Sequence, residues 1–190
     1  MNTDTVTLVS TTSSGVPATL RKLYFGRFAF AAVWAGLLFA TADTLGPLSV
    51  ALLVVYPLLD VVAAIIDVRS AKANGASAPA LHVNIAVSSL AVIGLAVAAM
   101  SGIPDVLRIW GAWAVVSGLV QLVAGAVRRQ LGGQWPMIIS GAISVLAGTS
   151  FITQAGSGEP TLANLAGYAF LGGVFFLVSA LRLNRDRRSA

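Results

Sequence analysis

The chain has 190 residues, of which 57% are hydrophobic and 10% charged. A soluble domain carries roughly a quarter charged residues, so this chain cannot cover its own surface with polar groups in water. It has no cysteine, which excludes a disulfide framework, a thiolate nucleophile and a zinc–thiolate site. The net charge of +5 would suit nucleic acid as a partner, but the placement of the basic residues assigns it to membrane topology and excludes that reading.

Residues 1–20, "MNTDTVTLVSTTSSGVPATL", are rich in Thr and Ser and are expected to form a disordered cytoplasmic tail. The first apolar segment, Phe28–Ala42, is the shortest and follows Arg21, Lys22, Tyr24 and Arg27. Its end, "FATAD", resembles a signal-peptide cleavage site. The polar lead before Arg21 is too long for such a signal, and the segment is read as retained. Trp34 lies near mid-membrane, where its indole N–H needs a partner such as a backbone carbonyl. The second segment, Pro47–Ile66, holds Asp60 and the one proline inside a segment, Pro57. A proline there cannot donate to the carbonyl of Leu53 and is expected to kink the helix.

The third segment, Leu81–Met100, brings His82, Asn84, Ser88 and Ser89. His82 enters near the cytoplasmic surface and reads as an interfacial residue, with pH sensing as the alternative. The fourth, Val106–Val127, carries Trp110 and Trp113 near its outer end, where interfacial anchoring explains them, and Gln121 in its inner half. The fifth, Pro136–Thr153, follows Trp135. The sixth, Leu162–Leu181, leads into a basic tail over residues 184–190, so the six-helix bundle occupies 21–183. Each segment is close to the roughly 20 residues that cross a hydrocarbon core as a helix. Helix is required because lipid offers the backbone no hydrogen-bond partners. Pro47, Pro79, Pro104, Pro136 and Pro160 all stand at or just before segment starts, where the missing N–H costs little.

Eleven of the 12 Lys and Arg residues fall at one end of these segments, in the groups Arg21/Lys22/Arg27, Arg69/Lys72, Arg128/Arg129 and Arg182/Arg185/Arg187/Arg188. The opposite connections hold Asp43, Asp105 and Glu159, with Arg108 as their base. The positive-inside rule therefore predicts cytoplasmic N- and C-termini.

Glycines at 111, 118 and 125, and at 141 and 148, repeat every seven residues, which is nearly two helical turns. Each set lines one helix face and predicts close helix packing, within the chain or between copies as a homo-oligomer, with a glycine-lined pore as the other reading. A charged aspartate at a helix centre costs about 2.5–3.5 kcal/mol on insertion scales and needs a partner. Folding segments 1 and 2 about their outer turn puts Arg27 within two residues of Asp60 in depth, roughly 3 Å. Folding about the 70–79 loop puts Ser88 and Ser89 beside Asp60. The sequence thus predicts an inner-leaflet polar cluster of Arg27, Asp60, Asn84, Ser88, Ser89 and Gln121. An Arg27–Asp60 ion pair is its structural reading; a proton or solute pathway and an unrelated ligand site are the others. No catalytic signature, cofactor motif or metal-ligand set is present in the sequence, and an enzyme is not expected.

"WAVVSGLVQLVAG" (113–125) lies over "YAFLGGVFFLVSA" (168–180) at an offset of 55, and "YPLLDVVAAIIDV" (56–68) follows at 57, which sets Asp60 on Ser117. "VWAGLLFA" (33–40) resembles "VLAGTSFI" (145–152). These offsets predict an all-α bundle of six transmembrane helices built as three helical hairpin repeats inserted in the same orientation. With "IWGAWAVVSGLVQLVAGAVRR" (109–129), "WPMIISGAISVLAGTSFI" (135–152) and "GYAFLGGVFFLVSAL" (167–181), the chain resembles the HdeD-like family of small six-helix bacterial membrane proteins. The resemblance implies a non-enzymatic inner-membrane protein of membrane stress or acid tolerance, with the lipid bilayer and a membrane protein as partners. It brings no catalytic residues. The competing expectation is a small proton-linked transporter or channel that uses Asp60.

Overall fold

The computed structural model describes residues 15–73, 75, 79–127, 129–131 and 135–186. These form six α-helices and no strand: α1 (Gly15–Ala40), α2 (Pro47–Ala73), α3 (Pro79–Ala98), α4 (Ile103–Val127), α5 (Trp135–Gln154) and α6 (Ala163–Asp186). A single 3-10 turn, Arg129–Leu131, follows α4. Each helix contains one of the apolar segments read from the sequence to within a few residues at its apolar limits. Four of them, α2 to α5, are long and apolar enough to cross a membrane, and α1 and α6 contain the shorter apolar stretches Phe25–Ala40 and Ala163–Val178. Where a disordered tail was expected over 1–20, helix is present from Gly15 onward; residues 1–14 lie outside the described residues. At the other end α6 runs three residues into the expected 184–190 tail, and Arg187 and Arg188 lie outside the described residues, as does Arg128.

Helices pack most closely as α4 on α5, α6 on α1 and α2 on α3. Each even-numbered helix thus lies against the helix that follows it, and α6 closes the ring onto α1. The tightest seam rests on glycine. A Cβ on Gly111 would stand 2.6 Å from the carbonyl oxygen of Gly148, and one on Gly118 2.7 Å from that of Gly141. Real Cβ atoms do not come so near, so this approach exists only because those four positions have no side chain. Of the predicted glycine faces, these four meet one another within the chain, and Gly125 is buried further along α4. On the α6–α1 side, a Cβ on Gly173 would stand 2.9 Å from that of Ala31.

The threefold repetition extends to positions that sequence comparison left faint. Ala31, Ser88 and Ser144 are buried on α1, α3 and α5, and Leu38, Leu95 and Phe151 recur two turns further along. Leu53, Trp110 and Leu165 hold the matching buried places on α2, α4 and α6. The outward faces carry Phe39, Leu90, Val97, Val123 and Leu146, all strongly exposed. An apolar exterior of this kind is what a bundle presents to lipid.

Both Asp43 and the α5–α6 connection sit at the end away from the basic residues. The connection is tied down there: Leu162 N–H donates to the Ala42 carbonyl at 2.9 Å, and Thr161 Oγ1 donates to Asp43 at 2.9 Å. Ser49 folds back on its own helix start, accepting from Gly46 N–H at 2.9 Å and donating to the Thr44 carbonyl at 3.0 Å. α2 remains one helix through Pro57, whose side chain is fully buried.

A carboxylate in the interior of the bundle

Asp60 stands one helical turn beyond Tyr56 on α2, half-buried, in a stretch that is otherwise apolar on both sides. α3 packs antiparallel to it and presents two donors one turn apart. Asn84 Nδ2 donates to Asp60 Oδ2 at 2.8 Å and Ser88 Oγ donates to the same oxygen at 2.7 Å. Ser88 is fully buried, and its oxygen accepts in turn from the indole Nε1 of Trp113 on α4 at 3.0 Å. The result is a directed chain, Trp113 N–H to Ser88 O–H to carboxylate, that joins three helices. Both bonds to the carboxylate land on Oδ2, so Oδ1 takes part in neither.

Of the six residues predicted to cluster, the structure brings Asp60, Asn84 and Ser88 together. Ser89, the next residue on α3, is half-buried, and its neighbour Ser88 makes the bond. Gln121 is exposed on α4 and contributes none of the cluster's hydrogen bonds.

Arg27 corrects the expectation of an ion pair. Its guanidinium lies over the ring of Phe176, 5.3 Å from the centroid. Among the described residues the ion pair is Arg108–Asp105, at the opposite end. The depth argument that matched Arg27 to Asp60 assumed that α1 packs along α2. Those helices touch only sparsely, through Trp34 and Phe30, and α1 lies along α6 instead. Arg27 therefore meets α6.

The structure also moves two tryptophans. Trp110 is buried to 1% exposure and Trp113 is half-buried, so neither is an interfacial anchor. They form an aromatic core with Trp34 and Tyr56: Trp34–Tyr56 centroids are 4.8 Å apart, Trp34–Trp110 5.7 Å and Trp110–Trp113 5.2 Å, the last pair edge to face. Offset and edge-on contacts of this kind stabilise by about 0.5–1.5 kcal/mol each beyond burial. Trp34 donates to the backbone carbonyl of Leu52 at 2.8 Å, the kind of partner its depth required. Trp135, by contrast, is 71% exposed at the start of α5, as an anchor would be. His82 is exposed on the first turn of α3.

The Trp113–Ser88 contact has a counterpart one repeat later. Tyr168 on α6 and Ser144 on α5 share a hydrogen bond of 2.7 Å, with the tyrosine at the place of Trp113 and the serine at the place of Ser88. The aromatic offsets of 57 and 55 residues were the signal that could have located both, because they put Tyr56, Trp113 and Tyr168 at one depth. Where Asp60 stands on α2, α4 has Ser117, whose hydroxyl is buried and has no partner. No group of three or more His, Asp or Glu side chains is placed to hold a metal among the described residues.

Fold and site together define a helical, multi-pass membrane protein with a hydrogen-bonded carboxylate inside its bundle. No family model, curated protein or solved structure matches the chain.

Proposed function

We propose that the chain is a non-enzymatic protein of the bacterial inner membrane, similar in kind to the HdeD-like proteins, that serves tolerance of acid or membrane stress. The orientation follows from the basic groups, with both termini cytoplasmic. The observation that carries the reading is the Trp113–Ser88–Asp60–Asn84 chain. It makes a titratable group the tie between α2, α3 and α4, so proton uptake acts directly on helix packing. An ionised carboxylate accepts hydrogen bonds roughly twice as strong as a neutral one does. Protonation at Oδ1 leaves Oδ2 a neutral carbonyl oxygen, which still accepts from Asn84 and Ser88 but more weakly, so the tie loosens.

Acid-shock survival tests this directly. Cells carrying the wild-type protein should survive a drop in external pH better than cells lacking it. Asp60→Asn, which cannot titrate, should remove the pH dependence while the protein still reaches the membrane. Equal protection by wild type and Asp60→Asn at every pH would defeat the proposal.

A second reading is a small proton-linked transporter or channel. The specific support is Oδ1 of Asp60, which takes neither of the bonds from α3, together with the unpartnered hydroxyl of Ser117 at the matching place on α4. Proteoliposomes separate the two readings: pH-dependent flux of an ion or small solute that is lost in Asp60→Asn belongs to transport alone.

A further inference from the structure

Toward the acidic end α3 and α4 are in tight contact, where a Cβ on Gly94 would stand 3.1 Å from the Ile109 side chain. The Ser88–Trp113 bond holds them at mid-depth. On the basic side of that bond a lateral groove of about 450 Å³ lies between them. Its walls are wholly apolar, with Pro79, Ala80 and Val83 on one side and Val116, Val120 and Ala124 on the other.

Two properties identify what fits it. The first is length. On α4 the groove runs from Val116 to Val127, which at about 1.5 Å per residue is roughly 16 Å. That is about half of the roughly 30 Å hydrocarbon thickness, the depth of one leaflet. The second is charge. Arg129 follows Val127 at the open end and is exposed, and Lys72, also exposed, ends α2, the helix packed along α3. Asp67, exposed on α2, is the acidic side chain described at that end outside the interior cluster.

The groove between α5 and α6, about 340 Å³, makes a contrast. It opens in the half of the bundle nearer Asp43 and Glu159, and it includes the polar residues Ser150 and Asn164.

We propose that the α3–α4 groove is a binding site for an anionic phospholipid of the leaflet at the basic end. One acyl chain lies between Val83 and Val120, and the phosphate group sits at Arg129 and Lys72. Basic groups near a membrane surface favour anionic lipid over a zwitterionic one. The inner end of the chain abuts the turns that carry Asn84 and Trp113, so occupancy braces the helices on either side of the Ser88–Trp113 bond.

The test uses the full-length protein in detergent micelles with added phosphatidylglycerol or phosphatidylcholine. Phosphatidylglycerol should raise the unfolding temperature by several degrees more than phosphatidylcholine. That increment should vanish in Ala124→Phe, which fills the groove, and shrink in Arg129→Glu. It should persist in Ala147→Leu, which fills the α5–α6 groove. An increment unchanged in Ala124→Phe, or equal stabilisation by the two lipids, overturns the proposal. Should Ala124→Phe fail to fold, Val120→Trp replaces it: its fluorescence should be quenched more by brominated phosphatidylglycerol than by the brominated phosphatidylcholine, and equal quenching overturns the site. Cross-linking between copies through the groove, with no phosphatidylglycerol increment, would give the groove to a second chain and overturn it as well.

Discussion

Gly148→Ala is the sharpest test of how this bundle is held. A Cβ at 148 would lie 2.5 Å from the Gly111 carbonyl oxygen and 2.9 Å from both Val115 N and Val115 Cγ2. Reaching even 3.0 Å from that oxygen requires a displacement of roughly 0.5 Å, and two of the three atoms met are backbone, so no rotamer change can supply it. The helices must move apart along a seam where Gly118 and Gly141 are nearly as close, each Cβ position 2.7 Å from the other's carbonyl oxygen. Overpacking of this kind costs about 1–3 kcal/mol. Alanine returns up to about 1 kcal/mol through helix propensity. The net expectation is a loss of about 1–2 kcal/mol.

Gly36→Ala supplies the control, because a Cβ there meets nothing within 4 Å. It should be neutral or slightly stabilising, so the two variants should differ by the overpacking cost of about 1–3 kcal/mol. Unfolding of each purified variant in mixed micelles of increasing SDS fraction, followed by far-ultraviolet circular dichroism, measures that difference. If Gly148→Ala proves as stable as Gly36→Ala, the α4–α5 seam is not the close glycine contact described and the reasoning fails.

Three further outcomes are expected. Asp60→Leu leaves the donors of Asn84 and Ser88 without their acceptor and should destabilise by about 1–3 kcal/mol, while Asp60→Asn, which keeps a carbonyl oxygen, should lose less than half of that in the same SDS titration. The charge swap Arg27→Asp with Asp60→Arg should be no more stable than the worse of its single variants, since Arg27 faces Phe176; recovery of stability would restore direct pairing. Trp113→Phe and Tyr168→Phe each delete one interhelical hydrogen bond and should cost about 0.5–1.5 kcal/mol apiece, with additive losses in the double variant because the two bonds lie in different seams.

The number of helices, the place of each apolar segment and the gathering of basic residues at one end of those segments were legible before any coordinates, whereas the extension of α1 back to Gly15 and of α2 on to Ala73 was not. Apolar run length is a local quantity measured against a fixed lipid thickness, and prolines mark where the second to sixth runs begin. The glycine heptads on segments 4 and 5 announced a close contact, and the 55–57 residue offsets announced three related units. Ser88 was found because folding about the 70–79 loop reports depth, and α3 does pack along α2; Asn84 was included only as a polar residue of the same half of the bilayer.

The same depth argument misled for Arg27, and a hydropathy argument misled for Trp110 and Trp113. Depth along the membrane normal follows from counting residues, whereas the direction a side chain faces depends on which helix lies against it. Only the tertiary structure decided that α1 turns to α6, that two tryptophans enter the core, and that Ser88 links Trp113 to Asp60. The physical reason is that all six helices are apolar on every side, so no hydrophobic face in the sequence orients them. Their neighbours are selected instead by where small residues permit contact and where a few polar groups can satisfy one another.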